Sequence, residues 1–426
     1  MSRSRFTCAV LAAALSIAAG PVAARADAVL EWNVIALKTT AAAPFNPPLE
    51  TRNLAVVHAA MFDAVNAIVR EFRPYAVALR APAGASPEAA AVAAAHATLL
   101  TLYPAQQATL DAAYRASLDA IADGPAKTSG VAVGESVAQR MLALRATDGA
   151  AAAVVTAYAP GDRSGDWLPT PPGFLSALDP GWGTVRPFVL RRPSQFRPGP
   201  PPALDSRRYV RDYEEIRAVG SNASATRTQD QTDLARVWVS TAAQNWNPVA
   251  RAAASAQGLT LSQTARALAL LNLAGADAFI AAWDTKFAYS QWRPVTAIRA
   301  ADTDGNPDTD ADPQWTPLLV TPPFPDFIAG HTTFAGAAQE VLEHVFGTDP
   351  RVIELKSDSA PGVVETYRTF REMADGVVDA RVWGGIHWRT SSVRGRTVGE
   401  AIGRYVVRHA LCPRDRDEGG DRDERR

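Results

Sequence analysis

The stretch Phe324–Gly336 reads FPDFIAGHTTFAG. A proline-rich approach runs into Ala329-Gly330-His331. From there Phe334, Ala337, Ala338, Val341, Leu342 and Val345 recur on one stripe at the helical period. The stretch predicts a helix that opens at the Gly-His pair. A helix N-terminus offers unpaired N–H groups and the positive end of the helix dipole, which together suit an oxyanion. Gly330 lets a ligand come close to the backbone. His331 stands where it can give a proton to that anion or take one from it.

Two further stretches supply positive charge. In KFAYSQWRP, Lys286 and Arg293 are seven residues apart, which is one helical face if the helix continues that far, although Pro294 makes a boundary there. The chain has only four lysines, and a compact point charge at this place points to an anion contact. In DARVWGGIHWRTSSVRG, Asp379–Gly395, Arg381 precedes His387 by six residues and Gly384-Gly385 gives the backbone room. Gly395, Gly399 and Gly403 follow at four-residue spacing and predict a smooth face for close helix packing. Three cations, a helix mouth and two histidines, with no carboxylate at a matching position, describe a site for a highly charged tetrahedral oxyanion. A magnesium or zinc site would need carboxylates or a tighter His/Cys cluster.

The rest of the chain frames this site. Of 426 residues, 47% are hydrophobic, and 43 basic against 44 acidic residues leave a net charge of −1. Bulk charge gives no support to a nucleic-acid or membrane-surface partner. Residues 1–26 read as an export signal, a basic start, a short apolar run and Ala24-Arg25-Ala26, with Asp27 as the mature N-terminus. An N-terminal anchor is the alternative. Loss of Cys8 with the signal leaves Cys412 alone. No later stretch reads as a membrane span. Helical periods at 53–69, 87–102, 108–121 and 131–144 predict an N-terminal bundle, in which His58 and His96 read as structural. From 159 to 205 proline and glycine exclude regular helix, while tryptophan and phenylalanine favour an ordered surface loop. Domains are expected at 27–205 (N-terminal bundle plus loop) and 206–412 (C-terminal bundle with the site), with a helix over 262–283 and a disordered charged tail at 413–426. The aspartates from Asp302 to Asp312 raise a calcium loop, but Pro307 and Pro313 occupy the positions of the required glycine and glutamate, which favours a solvated turn.

Lys286-x6-Arg293-Pro294, Gly330-His331 and Arg381-x5-His387, in that order, resemble the signature of the superfamily that joins vanadium-dependent haloperoxidases with type 2 phosphatidic acid phosphatases. Flanking segments such as NLAVVHAAMFDAVNAI and NLAGADAFIAAWDTKFAYSQWRPVTAIR resemble its bacterial haloperoxidase-like branch, over nearly the whole chain beyond the signal. The resemblance implies an all-α fold of helical bundles. It implies that Lys286, Arg293, Arg381 and the Gly330 N–H hold the oxygens of vanadate or phosphate. By the same resemblance His387 is the apical vanadium ligand or a phosphorus nucleophile, His331 the acid–base group, and Trp283 and Phe324 the aromatics on the halide side.

Three positions depart from that pattern. Ala329 stands where serine usually precedes Gly-His, Ala380 where serine is common, and Ser391 where an aspartate orients the histidine in the phosphatases. Thr332 or Thr333 is left as a possible substitute donor. The leading expectation is a vanadate-dependent haloperoxidase using hydrogen peroxide, a halide and a small organic acceptor. The alternatives are an exported acid phosphatase with no cofactor, or a non-catalytic oxyanion-binding homologue.

Overall fold

A computed structural model describes residues 27–349 and 351–414. The expected signal at 1–26 lies outside the described residues, as does nearly all of the charged tail. The described chain is helical: α1 (Ala28–Ala41), α2 (Pro47–Val69), α3 (Pro87–Leu102), α4 (Gln107–Asp119), α5 (Pro125–Arg145), α6 (Ala150–Ala153), α7 (Arg207–Val219), α8 (Gln229–Val237), α9 (Ala242–Gln257), α10 (Leu261–Tyr289), α11 (Pro294–Arg299), α12 (Gly330–Phe346), α13 (Phe370–Trp383) and α14 (Arg389–His409). One short antiparallel hairpin, β1 (Ile353–Lys356) and β2 (Val364–Tyr367), joins α12 to α13. The all-α expectation is borne out.

The helices start where capping chemistry permits. Asp27, the expected mature N-terminus, accepts the N–H groups of Val29 and Leu30 and caps α1. Thr228 and Thr260 form capping boxes with Gln231 and Gln263 at the starts of α8 and α10. Two helices are buried almost all round, α2 and α10, and form the axis of the core. The larger apolar cluster runs from Val29 of α1 to Val406 of α14, and a smaller one gathers Tyr213 of α7, Ile298 of α11 and Trp388.

Helix α10 corrects one expectation. By length and hydropathy it qualifies as a membrane span, yet 94% of its apolar window is buried inside the protein. Two polar residues at its middle are satisfied in the core. Asn272 pairs with Asn247 at 2.9 Å, and Asp277 accepts the backbone N–H groups of Phe188, Val189 and Leu190 at 2.6, 2.8 and 2.8 Å. Asp277 thereby pins the proline-rich segment 159–205, which is ordered as expected, with Trp167 and Trp182 fully buried.

Helices α12 and α14 pack through the glycine seam. A Cβ at Gly395, Gly399 or Gly403 would lie 2.3, 2.0 or 2.7 Å from Thr332 Oγ1, Thr333 O or Ala337 O of α12. Only hydrogen fits there. The aspartates around residue 304 spend oxygens on their own turn and on α7: Asp304 accepts Asn306 N–H and the hydroxyls of Thr309 and Tyr209, Asp310 lies 3.8 Å from Arg217, and Asp312 accepts Gln314 N–H.

Candidate active site

Each motif arrives at the same place on a different element. Lys286 lies in the last turn of α10 and Trp283 one turn before it. The helix ends at Tyr289, Ser290 turns the chain in the left-handed region, and Arg293 is the residue that caps α11. The pair therefore converges through a turn and not along one helical face, because Pro294 starts a new helix. Gly330 and His331 open α12, as expected. Arg381 occupies the last turn of α13, and His387 lies in the link to α14. Gly385 makes that link possible: its φ is +75°, and a Cβ there would meet Gly220 O at 2.3 Å.

The cations are buried and only partly satisfied. Lys286 Nζ donates to Pro325 O at 2.8 Å and Asp326 O at 2.7 Å, which uses two of its three protons. Arg293 donates to Phe324 O at 2.7 Å and Ile386 O at 2.6 Å, and its Nη2 is buried without a partner. Arg381 donates to Trp238 O at 2.6 Å, and its Nε is buried without a partner. Burial, then Arg293's charge, hold Lys286 well below its ordinary value. Burial pushes Arg293 down to about 10 and Arg381 to about 9. Three buried cations with spare donors form a donor set that suits an anion.

Both histidines border the same cavity of about 510 Å³, together with Trp283, Phe324, Gly330 and Arg381. Burial and the neighbouring cations hold both below their ordinary value, Arg381 foremost for His331 and Arg293 for His387. His331 Nε2 faces Ser240 O at 2.9 Å, so it carries the proton and Nδ1 keeps a lone pair. Phe324 packs between the cations: its ring centroid is 5.0 Å from Lys286 Nζ, 4.8 Å from Arg293 Cζ and 4.8 Å from the Trp283 ring.

One expectation fails here. The sequence reading counts no carboxylate in the site, yet Asp326 is fully buried with Oδ2 3.2 Å from His387 Nδ1 and 3.8 Å from Arg293 Nη1. Burial pushes its carboxyl up to about 6 against the pull of Arg293 and Lys286. The available signal was an aspartate between proline and phenylalanine in an otherwise apolar run, five residues before His331. The hydroxyl question is also answered. Thr332 and Thr333 both donate to Ala329 O, at 3.0 and 2.8 Å, so neither replaces the serine absent at 329.

The donor set fits a tetrahedral oxyanion. Spare N–H groups remain on Arg293 and Arg381, one ammonium proton remains on Lys286, and the space in front of Gly330 is shallow. A Cβ there would lie 3.4 Å from Trp283 Cζ3 and 3.5 Å from Phe279 Cε1. Comparison with known proteins agrees. Residues 266–415 match a family model described as the VCPO second helical-bundle domain. The chain is 26% identical over 401 aligned residues to the vanadium chloroperoxidase of Curvularia inaequalis, covering 75% of this chain and 65% of the length of that relative. A crystal structure described as the first bacterial vanadium-dependent iodoperoxidase superposes with a TM-score of 0.78 at 27% identity, covering 91% of this chain and 98% of that one. The holo-type bacterial vanadium-dependent chloroperoxidase shares the fold, with a TM-score of 0.68 at 21% identity over 86% of this chain and 94% of that one. With its helical fold, its three ordered motifs and these relatives, the chain is similar to the vanadium-dependent haloperoxidases in fold and, over residues 266–415, in the helical bundle that carries the site.

Proposed function

We propose that this protein is an exported vanadium-dependent haloperoxidase, which uses hydrogen peroxide to oxidise a halide for transfer to water or a small organic acceptor. The observation that carries the reading is the buried excess of positive charge: Lys286, Arg293 and Arg381 face one carboxylate and keep unused donors around a cavity at the N-terminus of α12. Vanadate, when bound, supplies a Lewis-acid centre that activates peroxide toward a nucleophile. The chain's own residues do the rest. Lys286, Arg293, Arg381 and the Gly330 N–H hold the oxyanion and offset its charge without reorganising. His387 presents a neutral imidazole nitrogen as the protein ligand. Lys286 polarises the peroxide oxygen, and His331, with its free Nδ1, takes up or returns the proton. The mouth is lined by Phe45, Leu175, Val239 and Val320, apolar walls that suit a neutral organic acceptor.

The deciding experiment is bromination of a phenolic dye by the purified mature protein with peroxide and bromide, with and without vanadate. Turnover only with vanadate is expected. A folded protein that binds vanadate but halogenates nothing overturns the activity and leaves a non-catalytic oxyanion binder. A second reading, phosphate monoester hydrolysis in the same cage, is favoured by the Asp326–His387 contact, because a carboxylate behind the histidine is what a histidine nucleophile needs. Release of phosphate from an aryl phosphate by vanadate-free protein, abolished in His387→Ala, would support it.

A further inference from the structure

We infer that Asp326 is the positioning residue for His387: its carboxylate, on the loop before α12, does the work that the phosphatases of the superfamily assign to an aspartate four residues after the histidine, where this chain has Ser391. The inference rests on the reading of the pocket as an oxyanion cage with His387 as its imidazole ligand.

The backbone of Asp326 is fixed from three sides. Its N–H donates to Gln291 O at 2.9 Å, and its carbonyl accepts Lys286 Nζ at 2.7 Å and the Ser391 hydroxyl at 3.2 Å. Ser391 therefore acts on the carboxylate's own backbone from the position that would otherwise hold an aspartate. The side chain then reaches His387 Nδ1 at 3.2 Å, with both residues buried.

This contact selects a tautomer. Arg293 can only donate and an ionised carboxylate can only accept. Arg293 Nη1 is 3.2 Å from His387 Nε2 and 3.3 Å from Nδ1, while Asp326 Oδ2 faces Nδ1. Both Asp326 carboxylate oxygens are buried without a hydrogen-bond partner, so the protonation pattern that suits all three groups turns the Nδ1 proton toward Asp326 and leaves Nε2 its lone pair beside Arg293. That lone pair is what a metal centre or a phosphorus atom requires. Asp326 as a mere counter-ion of Arg293 fits less well, since the charge pair is longer, at 3.8 Å.

The test uses the full mature protein labelled with 15N-histidine. His387 is assigned by difference from His387→Gln, and Asp326→Asn is compared with wild type. The expected wild-type signal is the Nδ1–H tautomer, lost or mixed in Asp326→Asn. Sulfate and vanadate titrations add a readout of opposite sign. Removing a negative charge from a cationic cage leaves sulfate binding as tight or tighter, whereas loss of the Nε2 lone pair weakens vanadate roughly tenfold to a hundredfold. An Nε2–H tautomer in wild type overturns the inference even if the variant fails to fold. Sulfate and vanadate affinities that rise or fall together in the variant also overturn it. If wild-type protein binds no vanadate, the proposed function falls, while the tautomer still decides the role of Asp326.

Discussion

Lys286 shows what one residue contributes. It is fully buried, it belongs to a chain with four lysines, and two main-chain carbonyls hold its ammonium. Burial and Arg293 depress its pKa, whereas a bound dianion favours its charged form, so anion binding must take up a proton. The sign follows: affinity for sulfate, which does not itself titrate in this range, falls as pH rises through the depressed lysine value. Calorimetry in buffers of different ionisation enthalpy should detect proton uptake on the alkaline side, and Lys286→Met should abolish that step. Equal uptake in the variant would remove Lys286 from the cage. A gain is expected at Ala329, where no threonine supplies the absent hydroxyl. Ala329→Ser should tighten vanadate by about 1.5 kcal/mol, roughly tenfold. Unchanged affinity would mean that residue 329 does not face the anion. The cations and histidines were legible because motif spacing marks them. Asp326 was not, since its partner lies sixty-one residues later and only the folded chain brings the two together.

At the scale of elements, the helix behind Gly330 and the glycine seam of α14 could be read from periodicity alone. The true end of α10 and the left-handed turn at Ser290 could not, because a local boundary signal does not say how the next helix is aimed. The β1–β2 hairpin also escaped, as strands of four residues are too short to establish a period. The seam has a functional reading. Helix α12 begins at the Gly330-His331 pair and α14 follows directly on His387, so the distance between these helices sets the width of the cage. At Gly399 an added methyl would lie 2.0 Å from Thr333 O, and backbone cannot step aside as a side chain can. Gly399→Ala should cost about 1–3 kcal/mol of stability and weaken vanadate binding together with it. Gly199→Ala, where nothing lies within 4 Å of the added methyl, serves as the neutral control. Thermal melts and vanadate titration of both variants check the pair. A stable Gly399→Ala with an intact cage would show that the seam has slack.

At the scale of the whole molecule, the proline-rich segment acts as a strap on the site. Trp167 N–H donates to Ser290 O at 2.7 Å and Trp292 N–H to Gly165 O at 2.8 Å, which grips the turn that carries Lys286 into Arg293. Further along, Leu178 N–H donates to Pro323 O at 2.8 Å and Leu178 O accepts Trp283 Nε1 at 3.1 Å, which fixes the aromatic wall. The sequence predicts an ordered loop but not its target, since hydrogen bonds between two irregular segments leave no periodic trace. The strap is anchored in turn by Asp277 in the middle of α10, with three backbone N–H groups on one carboxylate. Asp277→Ala leaves those donors without an acceptor in the core and should cost about 3 kcal/mol or more. Asp277→Asn keeps one acceptor oxygen and should lie between the variant and wild type. Because the anchor holds the strap and the strap holds the turn, the loss should extend beyond the melting temperature. Limited proteolysis should begin within 159–205, and vanadate affinity should fall although residue 277 is no part of the cage. A variant that melts early but keeps wild-type affinity and resists cleavage would separate the strap from the site and reduce Asp277 to a core contact.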